Sequence, residues 1–355
     1  MTRHAGAARV TSARPRARCL MRRVIRSQET RRRAVAVLRI LGIAAAYYLS
    51  GRLGLLRQVE VEGAIVSPLW PPTGISLAAL LYLGIRAWPG IALGAFLTLL
   101  TLSGGDLSLS GAGIAAANTV APLCAYLALR AVGFRTELDR LRDGVMLVFL
   151  GAMGGMLVSA TIGSLALVLN GDLGADNFWQ VWSAWWAGDA MGVLMVTPLL
   201  LVLRRARLPR RGDRWLEASA LTVVAVGITI VATRSPLSMI YLLFPVLVWA
   251  ALRFQLAGSA PCALLMSVMV IIAGTGRAGP FSGNTMLQVM LNLSILNACV
   301  ALTALLLAAI VTEHNNIMRE TELACEELAA LVEELAPRPD TDGRPGGAEG
   351  LPGRA

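Results

Sequence analysis

The sequence contains few of the residues on which catalytic and metal sites depend. It has two histidines in 355 residues, and its five cysteines stand far apart without a Cys-x-x-Cys pair. Metal sites need ligands at short, regular spacings. Neither a phosphate-binding Walker loop nor a His-Glu-x-x-His sequence is present. We therefore predict no metal, no cofactor and no enzyme activity.

Charged residues are also scarce, and this scarcity excludes an ordinary soluble domain. The chain is 15% charged and 56% hydrophobic, whereas soluble domains are about 25% charged and about 45–50% apolar. Its mean hydropathy is +0.64. The apolar residues stand in long runs that charges rarely enter, which is typical of membrane-spanning helices. The sequence therefore predicts an all-α, polytopic bundle of transmembrane helices.

Basic residues, all of them Arg, indicate how the chain is oriented. Residues 1–33 carry eleven Arg and one acid, residues 134–143 carry three Arg, and residues 204–214 carry six. Cytoplasmic loops are enriched in basic residues. The three segments fall on one side if the chain crosses the membrane about ten times. The count falls to eight if the segments around residues 68–72 are re-entrant. Both termini are then cytoplasmic.

Composition divides the chain into four parts. We expect a disordered Arg-rich cytoplasmic arm at 1–33. Its basic residues either hold it against membrane lipids or reflect only the orientation rule for cytoplasmic segments. We expect a transmembrane domain at 34–311, a cytoplasmic helix at 312–336 and a disordered Pro/Gly-rich tail at 337–355. No folded element for reading nucleic acid accompanies the arm, so we predict no nucleic-acid partner.

The helix predicted at 312–336 has apolar positions that alternate at spacings of four and three residues. Ile317, Leu328 and Leu331 lie on this stripe. The pattern is typical of a coiled coil and predicts a homodimer. About three heptads make a weak dimer contact, so an amphipathic extension of the last span is the alternative.

A Pro-rich stretch at residues 66–75 interrupts the apolar runs. Pro71 and Pro72 cannot continue a preceding helix, and broken backbone at membrane depth must be covered by protein or water. Such breaks often mark binding sites in transporters. Trp70, Pro71 and Pro72 are therefore candidate ligand-binding residues, and the alternative is that they only end a span.

Asp189 lies within an otherwise apolar, Trp-rich segment. An ionisable residue in a span usually faces protein or water and has a partner. We expect Trp185 and Trp186 to form an aromatic wall beside it, with Asn118 or an Arg as its partner. The alternative is an Asp solvated at an interfacial Trp belt. These four residues complete the set of candidate ligand-binding residues.

Seven blocks, in order and over residues 35–311, resemble the MASE1 domain, a bacterial integral membrane sensor domain. They are VSPLWPPTGISLAALL, RAWPGIALGAFL, FRTELDRLRD, VSATIGSLAL, WQVWSAWWAGDAMGVLMVTPLLL, YLLFPVLVWAALRF and TGRAGPF. The resemblance implies a multi-pass sensor in the inner (plasma) membrane with an unidentified ligand. In that family a helix usually joins the domain to a cytoplasmic histidine kinase or diguanylate cyclase.

The function expected from these features is sensory. The module would detect a small ligand or a membrane state and signal through its C-terminal helix. No output domain follows residue 336, so we expect a separate histidine kinase or diguanylate cyclase partner, or rearrangement within an oligomer. The alternative is a small-solute transporter or channel. Pro71 and Pro198 each stand beside Trp residues in the two halves of the chain, but no internal repeat accompanies them.

Overall fold

The structure is a computed structural model, and it describes residues 14–105, 108–204, 212–235, 239–283 and 285–335. Over these residues the chain is mostly helical and its only strands form one small hairpin, which confirms the all-α prediction. The helices are α1 (Arg14–Leu55), α2 (Pro71–Leu83), α3 (Trp88–Leu102), α4 (Leu109–Ala131), α5 (Leu141–Met146), α6 (Gly155–Leu169), α7 (Phe178–Leu203), α8 (Gly212–Arg234), α9 (Leu243–Thr275) and α10 (Met286–Leu335). A π-helical segment, Leu147–Gly154, joins α5 to α6.

Eight helical segments in the described part of the chain are long and apolar enough to cross a membrane. They are Arg31–Leu55, Ile85–Leu102, Leu109–Ala131, Leu141–Leu169, Ala175–Leu203, Trp215–Arg234, Met239–Thr275 and Gln288–Glu333. A further apolar helix, Pro71–Leu83, is not among them. This is the 13-residue helix α2, about 20 Å long at 1.5 Å per residue. That is shorter than the ~30 Å hydrocarbon layer.

Helix α9 contains a break at Gln255. Gln255 has φ 53° and ψ −144°, so the helical backbone is interrupted at this residue. Arg253, two residues earlier, donates from Nε to Glu217 Oε1 of α8. The chain on either side of Gln255 thus forms two helical segments joined at a one-residue break.

The N-terminal arm differs from the prediction. Residues 14–33 were expected to be disordered, but α1 begins at Arg14 and continues into the first span. The reason is local: residues 14–33 contain no Gly and one proline, Pro15, at the helix start. Arg is a good helix former, and proline is tolerated in the first turn. Residues 1–13 and the tail predicted at 337–355 lie outside the described residues.

The last helix, α10, has 50 residues and includes the helix predicted at 312–336 up to Leu335. The chain divides into two compact units, with the second beginning at Glu313. In that unit Ile317, Leu328 and Leu331 are 55%, 62% and 54% exposed. The apolar stripe is therefore open, and the homodimer stays a prediction.

A β-hairpin lies between α1 and α2. β1 (Val59–Val61) pairs antiparallel with β2 (Ala64–Val66). Glu62 and Gly63 form the two-residue turn, with φ of 50° and 85°, as a type I′ hairpin turn requires. The hairpin residues alternate buried, exposed, buried in each strand. Their buried face belongs to one apolar cluster that also contains Val181 of α7 and Met290 of α10.

Candidate ligand-binding pocket

The Pro-rich stretch docks against the middle of α7. The N–H of Trp70 donates to the carbonyl oxygen of Gly188 at 3.0 Å. The Thr73 hydroxyl lies 3.0 Å from the carbonyl oxygen of Asp189 and 2.7 Å from that of Trp70. Pro71 and Pro72 begin α2, where a missing N–H costs nothing. The broken backbone is therefore satisfied by protein, as membrane depth requires.

Glycines make this docking possible. A Cβ atom on Gly74 would overlap the carbonyl oxygen of Gly192, and one on Gly192 would overlap that of Trp70. A Cβ atom on Gly188 would overlap the carbonyl oxygen of Ser67. Small residues let helix backbones approach this closely. The four-residue spacing of Gly188 and Gly192 indicates close helix packing, and the sequence prediction did not include these two residues.

Asp189 is completely buried, with 0% of its surface exposed. Its Oδ2 accepts a short hydrogen bond from the Ser159 hydroxyl of α6. Its Oδ1 has no hydrogen-bond partner among the described residues. The partner in the structure is thus Ser159 rather than Asn118 or an Arg, and Asp189 is not solvated at an interface.

A cavity of about 250 Å³ lies beside Asp189, and β2 with its flanking residues forms part of its wall. Asn118 lines it too, is 4% exposed, and has no partner for its Oδ1 within the described chain. Trp70 and Trp185 supply aromatic walls. The remaining lining residues are Leu55, Gly63, Ala64, Ile65, Val66, Ser67, Leu99, Leu102, Ile114, Leu167, Asp172 and Gly188. Four of the seven predicted residues therefore meet at one cavity.

Trp186, Pro71 and Pro72 belong to the scaffold instead. Trp186 donates from Nε1 to the carbonyl oxygen of Met153 at 2.9 Å, and its ring stacks on Trp182. The Pro71 and Pro72 rings pack against α1, close to Gly54 and Gly51 respectively. None of the three lines the cavity.

Three further residues contribute to the site without having been predicted. Ser159 bonds to Asp189. The Tyr47 side chain of α1 is 0% exposed and lies near Asp189 and Trp70. Asp172 lines the cavity. Ser159 and Tyr47 carry no sequence signal, because they reach the site only through the packing of α1 and α6.

Asp172 adds a second carboxylate to the cavity wall. It accepts hydrogen bonds from Ser110 Oγ at 2.7 Å and Asn170 Nδ2 at 2.9 Å. These bonds favour the charged form and hold the pKa of Asp172 below its ordinary value. None of the described residues that line the cavity is an Arg or a His. The cavity wall is therefore largely apolar, with two acidic and two aromatic side chains.

Fold and cavity together define a multi-pass helical membrane protein with a pocket of small-molecule size. The MASE1 family matches residues 40–315, and the chain belongs to this family of membrane-associated sensory domains. This confirms the resemblance drawn from the sequence blocks. MASE1 is a sensory domain rather than a catalytic one.

One curated relative indicates the context in which such a domain occurs. The chain is 30% identical, over 208 residues, to the probable diguanylate cyclase DgcE of Escherichia coli (strain K12). The match covers 55% of this chain and 18% of DgcE, so the chain spans less than a fifth of that relative. No solved structure matches the chain.

Proposed function

We propose that this chain is a sensory module that binds a small molecule in the cavity beside Asp189. Trp70, Asn118, Trp185 and Asp189 are the contacting residues. The observation that carries the proposal is a pair of buried acceptors, Asp189 Oδ1 and Asn118 Oδ1, that lack partners among the described residues and line the same cavity. A buried unsatisfied polar group costs about 1–3 kcal/mol. A ligand that donates to both atoms removes that cost.

The hairpin gives the cavity a route to α10. Residues Gly63–Ser67 line the cavity, while Val59, Val61 and Val66 pack in one apolar cluster with Met290 of α10. We propose that a ligand that favours one hairpin position also favours one position of Met290. Such a ligand shifts the equilibrium between two conformations of the hairpin by the difference in its affinity for them. The same helix continues to Leu335, and we propose that it carries the signal.

The output proposed for this signal is a diguanylate cyclase or a histidine kinase in a partner protein. The relative DgcE, a probable diguanylate cyclase, supports the first of these. We propose the inner membrane as the location, and a homodimer through the exposed stripe of Ile317, Leu328 and Leu331 as the form in which α10 acts.

We further propose that anionic lipids occupy a cleft beside α1. Basic and apolar side chains alternate there, since Arg31, Arg32, Arg39 and Arg86 stand around Val35, Ile40, Ile43 and Leu83. Basic pockets on the cytoplasmic side of a membrane domain hold acidic head groups, and the apolar positions accommodate acyl chains.

A chimera tests the sensory function. Residues 1–335 are joined to the part of DgcE that follows its matching region, and cyclase activity is measured in membranes at equal protein abundance. We expect Asp189→Asn and Met290→Ala to change activity, because they alter the cavity and the hairpin contact. Leu165→Ala is the control, since this side chain is 46% exposed on α6. Equal activity in all variants would refute the proposal. Saturable solute uptake by proteoliposomes would instead support the transporter.

A further inference from the structure

We infer that the ligand of this cavity is a small organic cation with N–H donors, such as a primary ammonium or an amidinium compound. The inference rests on the proposed function of the cavity as a ligand site. It specifies the ligand class from charge, aromatic lining, hydrogen-bonding capacity and size.

The charge of the residues around the cavity favours a cationic ligand. The chain has 32 basic and 22 acidic residues and a net charge of +10, yet the described residues around this cavity include Asp172 and Asp189 and no basic side chain. Opposite charges attract more strongly near a buried group such as Asp189 than in open water. An anion entering this cavity would meet two acidic side chains and no basic one among the described residues. The wall composition therefore selects against anionic ligands.

The aromatic residues in the cavity wall also favour a cation. Trp70 and Trp185 both line the cavity that contains Asp189. Indole is the best aromatic partner for a cation, because the ring face carries negative electrostatic potential. Trp185 is held in place by close packing, since its ring atoms lie 3.0 Å from the position that a Cβ on Gly163 would occupy. Carboxylate and indole thus act on the same charge.

Hydrogen bonding narrows the class further. Asp189 and Asn118 both line the cavity, and each has a side-chain oxygen, Oδ1, that lacks a hydrogen-bond partner among the described residues. An ammonium group has three donors and no acceptor, as the lysine side chain shows. A quaternary ammonium has no N–H and would leave both oxygens unpaired. The geometry therefore favours primary amines and amidines over choline-like ligands.

Size sets the upper limit. The cavity has a volume of about 250 Å³, just below the range of about 300–1,000 Å³ that holds drug-sized ligands. The ligand is accordingly smaller than a drug-sized molecule.

The test is a binding series on the purified full-length protein in nanodiscs. Four sets of probes are compared by calorimetry: small primary amines and amidines, their neutral amide or alcohol isosteres, quaternary ammonium compounds, and carboxylates. We expect saturable binding in the first set and at least tenfold weaker binding in the others. Equal or tighter binding of a carboxylate or neutral probe, lost on Asp189→Asn, would overturn the cation class but keep the cavity as a ligand site.

Matched variants locate the binding. Asp189→Asn should weaken amine binding about 30-fold or more, which is the usual loss when a buried charge pair loses one partner. Trp185→Leu should weaken it about 5-fold or more. Trp186→Leu is the control, since Trp186 bonds to Met153 away from the cavity, and should leave the affinity unchanged.

The variants also show whether the amine binds in this cavity at all. Amine binding that no cavity variant alters would overturn this inference and the proposed ligand site together. If Asp189→Asn does not fold, as judged by gel filtration and circular dichroism, Trp185→Leu and Asn118→Leu take its place. Unchanged amine affinity in both of these would refute the inference.

Discussion

A single methyl group added at Gly192 should separate α2 from α7. A Cβ atom there would overlap the backbone carbonyl oxygen of Trp70, and no side-chain rotation can relieve a clash with backbone. Overpacking of this kind costs about 1–3 kcal/mol. The Trp70 hydrogen bond to Gly188 and the Thr73 contact with the Asp189 carbonyl add about 1 kcal/mol each when they are lost. We expect Gly192→Ala to destabilise the fold by about 3–5 kcal/mol.

The control for this change is Gly227→Ala. Gly227 is an exposed residue of α8, and no atom lies within 4 Å of the position its Cβ would take. Alanine in an open helical position is neutral or stabilising by up to about 1 kcal/mol. Unfolding of both purified variants is measured in mixed micelles with increasing dodecyl sulfate. If Gly192→Ala is as stable as Gly227→Ala, the close backbone contact described here is wrong.

Three further predictions concern other parts of the chain. The pKa of Asp172 is depressed by its hydrogen bonds, so its stabilising contribution is present above the ordinary Asp pKa and lost as pH falls through the lowered value. The difference in melting temperature between wild type and Asp172→Asn should shrink over that range. Arg39→Gln with Arg86→Gln should reduce retention of anionic lipid relative to phosphatidylcholine, measured by native mass spectrometry, and unchanged retention would contradict the proposed cleft. Leu328→Asp should weaken cross-linking of a homodimer, whereas Leu323→Asp, off the apolar stripe, should not.

The polar members of the pocket could be predicted from the sequence because burial in an apolar segment is costly. Asp189 and Asn118 stand out against their neighbours for that reason alone, and both line the cavity. The hairpin was only partly predictable. Residues 59–62 alternate in polarity up to Gly63, but residues 64–66 are all apolar and do not continue the pattern.

Contacts between distant segments could not be predicted in the same way. Ser159 is 30 residues from Asp189 in the chain, and hydroxyls are common in membrane helices, where they bond to their own backbone. Nothing in its local sequence distinguishes Ser159 from Ser164. Trp185 and Trp186 likewise differ only in direction: one faces the cavity and the other faces Met153. Helix rotation decides this, and it follows from packing across the whole bundle.

The two strands beside the cavity are three residues long, and an isolated two-stranded hairpin is marginally stable at best in water. The hairpin is therefore stabilised by the helices and the cavity residues it contacts. A ligand in the cavity adds contacts to the hairpin that the empty cavity does not provide. Backbone amide exchange at Val59, Val61 and Ala64 would therefore register occupancy before any change in the helices is large enough to detect.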